Sequence, residues 1–165
     1  LVSLKATNYQ FAYEAATKIY SNKNFAAMSE SIKESWILLA AYLILANRNQ
    51  SINSDIQLEK SLNFRLGKFL NQVPNYSKDK KGLNVPVLIA QFLFLLQAKE
   101  FDQAHDKLVA LRKYRVKHFN TEDGYYRNQL FIRMLCSLAG TAFNKKMFLK
   151  KTASMIKTVA QMLEF

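Results

Sequence analysis

Two apolar stretches separated by four polar residues constrain this chain more than any other feature. Residues 87–96 present Leu88, Gln91, Phe92 and Leu95, and residues 101–114 present Phe101, Ala104, Leu108 and Leu111. Both sets recur at the three-and-four spacing of one helix face, so Gln97-Ala98-Lys99-Glu100 reads as the joint of an antiparallel helical hairpin. A hairpin of this kind cannot bury its apolar face alone. It requires similar neighbours, and stacked hairpins make surfaces for partners more readily than active sites.

Turn chemistry points the same way. Four glycines and two prolines in 165 residues are too few for a many-stranded sheet, and half of the chain is apolar. The expectation is an all-α fold of about six to eight helices, stacked as antiparallel hairpins in an α-α superhelix, with residues 1–165 forming a single domain. Helices are predicted over 4–20, 62–73, 125–138 and 145–163 besides the central pair. The pattern over 25–46 predicts either one long helix or two joined near Ser35. The polar stretch 47–60 and the charged stretch 75–82 read as connections, Asn84 as an N-cap with Pro86 in the first turn, and 120–124 as a turn. Gly140 marks the stop of the helix before it. Trp36, Leu39, Phe92, Leu95, Phe101, Ala104, Leu108, Leu135 and Ile156 are the expected core; on the last helix Phe148, Leu149, Ala153, Val159, Ala160 and Leu163 are expected to join it.

The formal net charge of +12 is unevenly placed. Residues 1–66 hold seven basic and five acidic side chains, and residues 67–165 hold seventeen and seven. Such a field favours acidic partners. Its densest parts are Arg112, Lys113, Arg115 and Lys117, and then Lys145, Lys146, Lys150 and Lys151. Cations ending the 101–114 helix complement its dipole, whereas the second set opens a helix, where the dipole disfavours cations. These eight residues are the candidate partner-binding residues, with Tyr125 or Tyr126 available for stacking if the partner is nucleic acid.

Nothing in the chain pairs an acid with a base for catalysis. Gly67, Gly82, Gly124 and Gly140 stand singly, so no glycine-rich phosphate loop exists and no cofactor is expected. Asp102, His105 and Asp106 share a helix face, yet carboxylates near a helix start are favoured by the dipole, and no metal site is assigned. His118 reads as an ordinary cation at a helix end. The lone Cys136, inside the apolar run 130–138, predicts a buried reduced thiol with no disulfide within the chain, and so a cytoplasmic protein. No stretch reaches the roughly 18 apolar residues of a membrane span. The opening at Leu1, without a methionine or a signal pattern, predicts a fragment of a longer protein.

Trp36, Leu39, Ala40 and Leu43 resemble the first helix of a tetratricopeptide repeat, and Phe101, Ala104, Leu108 and Leu111 resemble the second. The hairpins at Phe25 and Phe101 stand 76 positions apart, which is no multiple of the period of about 34 residues. The likeness is therefore tetratricopeptide-like rather than a regular array. Over 64–156, the segments 64–71 and 76–84, Arg112-Lys113-Tyr114 and Tyr126-Arg127-Asn128 resemble an uncharacterised family of bacterial helical-repeat proteins. That resemblance implies a fold and no activity. The expected function is a non-enzymatic protein-interaction module that binds another protein or another segment of its parent chain. The alternative is a nucleic-acid-binding module working through the basic face.

Overall fold

The computed structural model of the chain describes residues 9–49, 58–72, 83–118 and 126–161. These residues are helical with no strand among them, so the fold is all-α. The expected turn at 120–124, the connection 75–82, Leu163 and most of the polar stretch 47–60 lie outside the described residues. Two compact units divide the chain, Leu1–Ala90 and Gln91–Phe165.

In the first unit α1 spans Tyr9–Tyr20, a 3-10 turn spans Lys23–Ala27, α2 spans Glu30–Arg48, α3 spans Leu58–Ser61 and α4 spans Leu66–Leu70. Helix α1 packs on α2, and α2 on α3. On α1 the buried residues are Ala12 and Ala16, while Phe11 is exposed. The break in the 25–46 pattern falls at Met28 and Ser29, whose backbones are extended, and not at Ser35. Asn22 starts the 3-10 turn by accepting a 2.8 Å hydrogen bond from the Asn24 amide, and Phe25 folds back to within 4.8 Å of the Tyr20 ring. Burial there pushes the Tyr20 phenol up to about 12.

The second half of α2 is buried almost all round, at Leu38, Leu39, Ala40, Ala41, Leu43, Ile44 and Leu45, as an apolar run of this length requires. Trp36, one turn earlier, is only half-buried. An ion pair from Arg48 to Glu59 ties the end of α2 to α3. The helix expected over 62–73 is shorter because Asn63 takes left-handed φ and ends α3: its amide donates to the Lys60 carbonyl, and that of Phe64 to Glu59.

Helix α5 spans Asn84–Gln97, and the division between the units falls within it. It begins one residue earlier than expected at its cap: the Val87 amide donates to the Leu83 carbonyl, which makes Asn84 the first helical residue and places Pro86 in the first turn. In the first unit the Tyr42 hydroxyl donates to the Pro86 carbonyl at 3.0 Å, and burial raises its pKa further than that of Tyr20. Further along α5, Gln91, Phe92, Phe94 and Leu95 are buried, and Phe92 is wholly so.

The second unit continues with α6 (Phe101–His118), α7 (Tyr126–Ala139) and α8 (Lys145–Gln161), with α6 packed on α7 and α7 on α8. The joint before α6 closes by two backbone bonds, Glu100 to the Leu95 carbonyl at 2.9 Å and Lys99 to Leu96 at 3.1 Å, around a left-handed Lys99 with φ of 61°. That conformation suits glycine and is strained for a side chain. Replacing Lys99 with glycine should therefore stabilise the chain by about 0.5 to 1 kcal/mol, the relieved strain outweighing glycine's extra freedom when unfolded. Urea denaturation of wild type and variant measures this.

Helix α7 ends at Ala139, so Gly140 marks its stop as expected. Gly140 is not left-handed; that conformation falls on Ala142 and Phe143, at φ of 47° and 57°. The Ala142 amide donates to the Ala139 carbonyl and that of Phe143 to Leu138, while the Phe143 ring stacks on Phe101 at 4.9 Å. Asn144 then caps α8, its Oδ1 accepting from the Met147 amide at 3.0 Å.

A charged face and an open stripe on the last helix

The path of α6, α7 and α8 decides where the candidate residues stand. Cys136 on α7 lies against α6, its Sγ 3.7 Å from the Leu108 carbonyl, and the Phe101 ring meets Phe143 beyond the end of α7. Helices α6 and α7 are therefore antiparallel, and α8 starts at the level where α6 starts. At about 1.5 Å of rise per residue, Arg112 to Lys117 stand about 16 to 24 Å up α6 from Phe101. Lys145 to Lys151 fill roughly the first 9 Å of α8 from that same end. The two basic sets occupy different levels of the unit.

Arg112, Lys113 and Lys117 are exposed and Arg115 is half-buried. Arg115 and Arg112 act on Cys136, which is half-buried rather than enclosed. Burial raises its pKa, while the charges of Arg115 and Arg112 pull it down. Asp102, His105 and Asp106 are exposed near the start of α6, and no group of three or more His, Cys, Asp or Glu among the described residues is placed to hold a metal ion. The side chains of His118, Tyr125 and Tyr126 lie outside the described part.

Lys145, Lys146, Lys150 and Lys151 are all exposed. Lys151 has an internal role, because its Nζ lies where a β-carbon on Gly140 would come within 3.0 Å of it. There its charge faces the C-terminal end of α7, which the helix dipole makes favourable. Lys145 and Lys146 open α8, where the dipole is against them. From Gly124 to Leu163 the sequence holds seven basic residues and no acidic one, and the lysines of α8 make no ion pair among the described residues.

The apolar side of α8 departs most from expectation. At about 100° per residue, Phe148, Thr152, Met155 and Val159 share one stripe. Of these Thr152 is fully buried, its hydroxyl donating to the Phe148 carbonyl at 2.7 Å, and the other three are partly covered. Leu149, Ala153, Ile156 and Ala160 form a second stripe turned about 100° from the first, and all four are exposed. Leu149 is 46% exposed and Ile156 38%. Ile156, Leu149, Ala153 and Ala160 were expected in the core; the apolar arc of α8 is wider than one neighbouring helix covers, so α7 takes the first stripe and leaves the second. That width was present in the sequence as eight apolar or small residues on about half of the helix circumference.

Lys146, Lys150 and Lys157 run beside the open stripe, about 60 to 100° around the helix from Leu149. The site is thus an apolar strip bordered on one long edge by a row of cations. No helix among the described residues is long and apolar enough to cross a membrane. Comparison of the chain with protein-family models, with curated proteins and with solved structures finds no match.

Proposed function

We propose that the chain is a non-enzymatic, cytoplasmic helical-repeat module that binds another protein, or another segment of its parent chain, through α8. The observation that carries this reading is the open stripe of Leu149, Ala153, Ile156 and Ala160 along the length of the helix. Contiguous exposed apolar surface on a packed unit marks an interaction site, whereas single exposed apolar residues do not. Anchoring by apolar side chains with selection by charge at the rim is how such surfaces work.

The test is fluorescence anisotropy with a panel of labelled amphipathic helical peptides, using wild type and the double variant Leu149→Ser, Ile156→Ser. Wild type should bind members of the panel, and the double variant should lose about tenfold or more in affinity. Stability should move by no more than about 0.5 kcal/mol per substitution, because both side chains are exposed. Absence of binding, or binding indifferent to the double variant, removes the proposal. Strong binding of a single-stranded oligonucleotide, weakening log-linearly with salt and lost on neutralising Arg112, Lys113, Lys145 and Lys146, would replace it with nucleic-acid recognition.

A further inference from the structure

We infer that the occupant of the α8 face is an acidic amphipathic helix, a conclusion that rests on the interaction reading and names its partner. Five features of the face select that chemistry. The stripe alternates large and small, Leu149, Ala153, Ile156, Ala160, which leaves one shallow seat between two ridges and a second beyond Ile156, and lets a second helix approach closely. A strip only one residue wide and about 16 Å long matches one helix of three turns, with large apolar residues falling over Ala153 and Ala160.

The edge is cationic. Lys146, Lys150 and Lys157 are exposed and repeat at four and seven residues, so carboxylates at the same spacing on a parallel or antiparallel helix meet them one for one. Two of the exposed cations, Lys145 and Lys146, stand in the first turn of α8, where the dipole disfavours them. Carboxylates brought there by a partner relieve that repulsion. The absence of any acidic residue on α7 or α8 gives these helices a field of one sign, which draws an anionic partner in and repels basic ones.

The same features argue against the other occupants. A second copy of the chain brings its own basic α8 against this one, placing like charges edge to edge. An anionic bilayer is attracted by the lysines, but only Leu149 and Ile156 on the stripe are bulky enough to insert, too few for an interfacial helix.

The experiment uses the full 165-residue chain and two labelled peptides of about 18 residues, identical in their apolar face and carrying Glu or Gln along one edge. Anionic vesicles and a single-stranded oligonucleotide serve as competitors. Wild type should bind the Glu peptide about tenfold more tightly than the Gln peptide at low salt, with the gap narrowing as salt is raised. In Lys146→Glu, Lys150→Glu, Lys157→Glu the preference should disappear, and in Ile156→Ser both peptides should weaken about tenfold. Circular dichroism confirms folding of each variant.

Equal binding of the two peptides would overturn the acidic-helix inference while leaving the interaction reading in place. No binding of either, or binding unaffected by Ile156→Ser, would remove both. A preference for Glu that survives the triple variant would place acid recognition elsewhere and overturn the inference. Displacement of the Glu peptide by vesicles or oligonucleotide below the peptide's own concentration would assign the face to lipid or nucleic acid instead. Self-association seen by ultracentrifugation and abolished by Ile156→Ser would assign it to a second copy.

Discussion

Leu108→Ala lowers the stability of the folded chain by about 2 to 5 kcal/mol. Among the described side chains α6 buries one stripe, Ala104, Leu108 and Leu111, and the others are half-buried or exposed. Leu108 is 2% exposed and sits in the middle of that stripe, with its backbone carbonyl against Cys136 of α7. Ala104 offers no bulk to fill the space, so removal of the isobutyl group leaves a cavity that the surroundings cannot close. Urea denaturation of the single variant measures the loss. A change below about 0.5 kcal/mol would mean that the packed face of α6 is assigned wrongly.

Phe92→Ala has a comparable or larger effect, about 3 to 5 kcal/mol. Phe92 is fully buried on a helix whose neighbouring positions Gln91, Phe94 and Leu95 are buried as well. A helix enclosed on several sides has no solvent-facing direction into which its packing can relax, so the loss of a whole ring is felt in full. Phe92→Leu keeps much of the volume and should cost well under half as much. If alanine and leucine destabilise equally, the ring's shape rather than its bulk would be what the site requires. The slope of the unfolding transition should be unchanged in both, since neither variant alters the surface exposed on unfolding.

The helical class and most of the core were legible from apolar periodicity and the scarcity of glycine and proline. Leu39, Leu95, Ala104 and Leu135 are buried, as their spacing predicts. Phe101 is 43% exposed because it is the first residue of α6: a helical side chain leans toward the N-terminus, and there the ring passes beyond the helix and finds Phe143 instead of the core. Ile156 failed for another reason. Periodicity tells which residues share a face of α8, but it cannot tell how much of a wide face the available neighbour covers.

The helix expected from residue 62 starts later because backbone geometry overrode composition, whereas the joint at 97–100 and the stop at Gly140 fall where expected. Asn63, Lys99 and Ala142 end their helices by adopting left-handed φ, and only the asparagine announces that ability by type. The candidate cations were visible as runs in the sequence. Their separation along the unit was not, because it depends on the direction in which each helix travels, and the lysine border beside Leu149 and Ile156 emerged only once the second stripe proved open.

Among the described residues the most extensive helix–helix packing joins helices consecutive in the chain: α1 with α2, α2 with α3, α6 with α7, and α7 with α8. Contacts of this kind join residues close in sequence, so little loop entropy must be surrendered before they form, and topologies dominated by them fold on the microsecond-to-millisecond scale. A growing chain emerging from the ribosome at about 5 to 20 residues per second can therefore close each pair almost as soon as its second member appears. By the time α8 has emerged, α6 and α7 have had ample time to assemble the surface on which its Thr152 stripe docks. The Leu149 stripe is then presented to the cell on an already folded support.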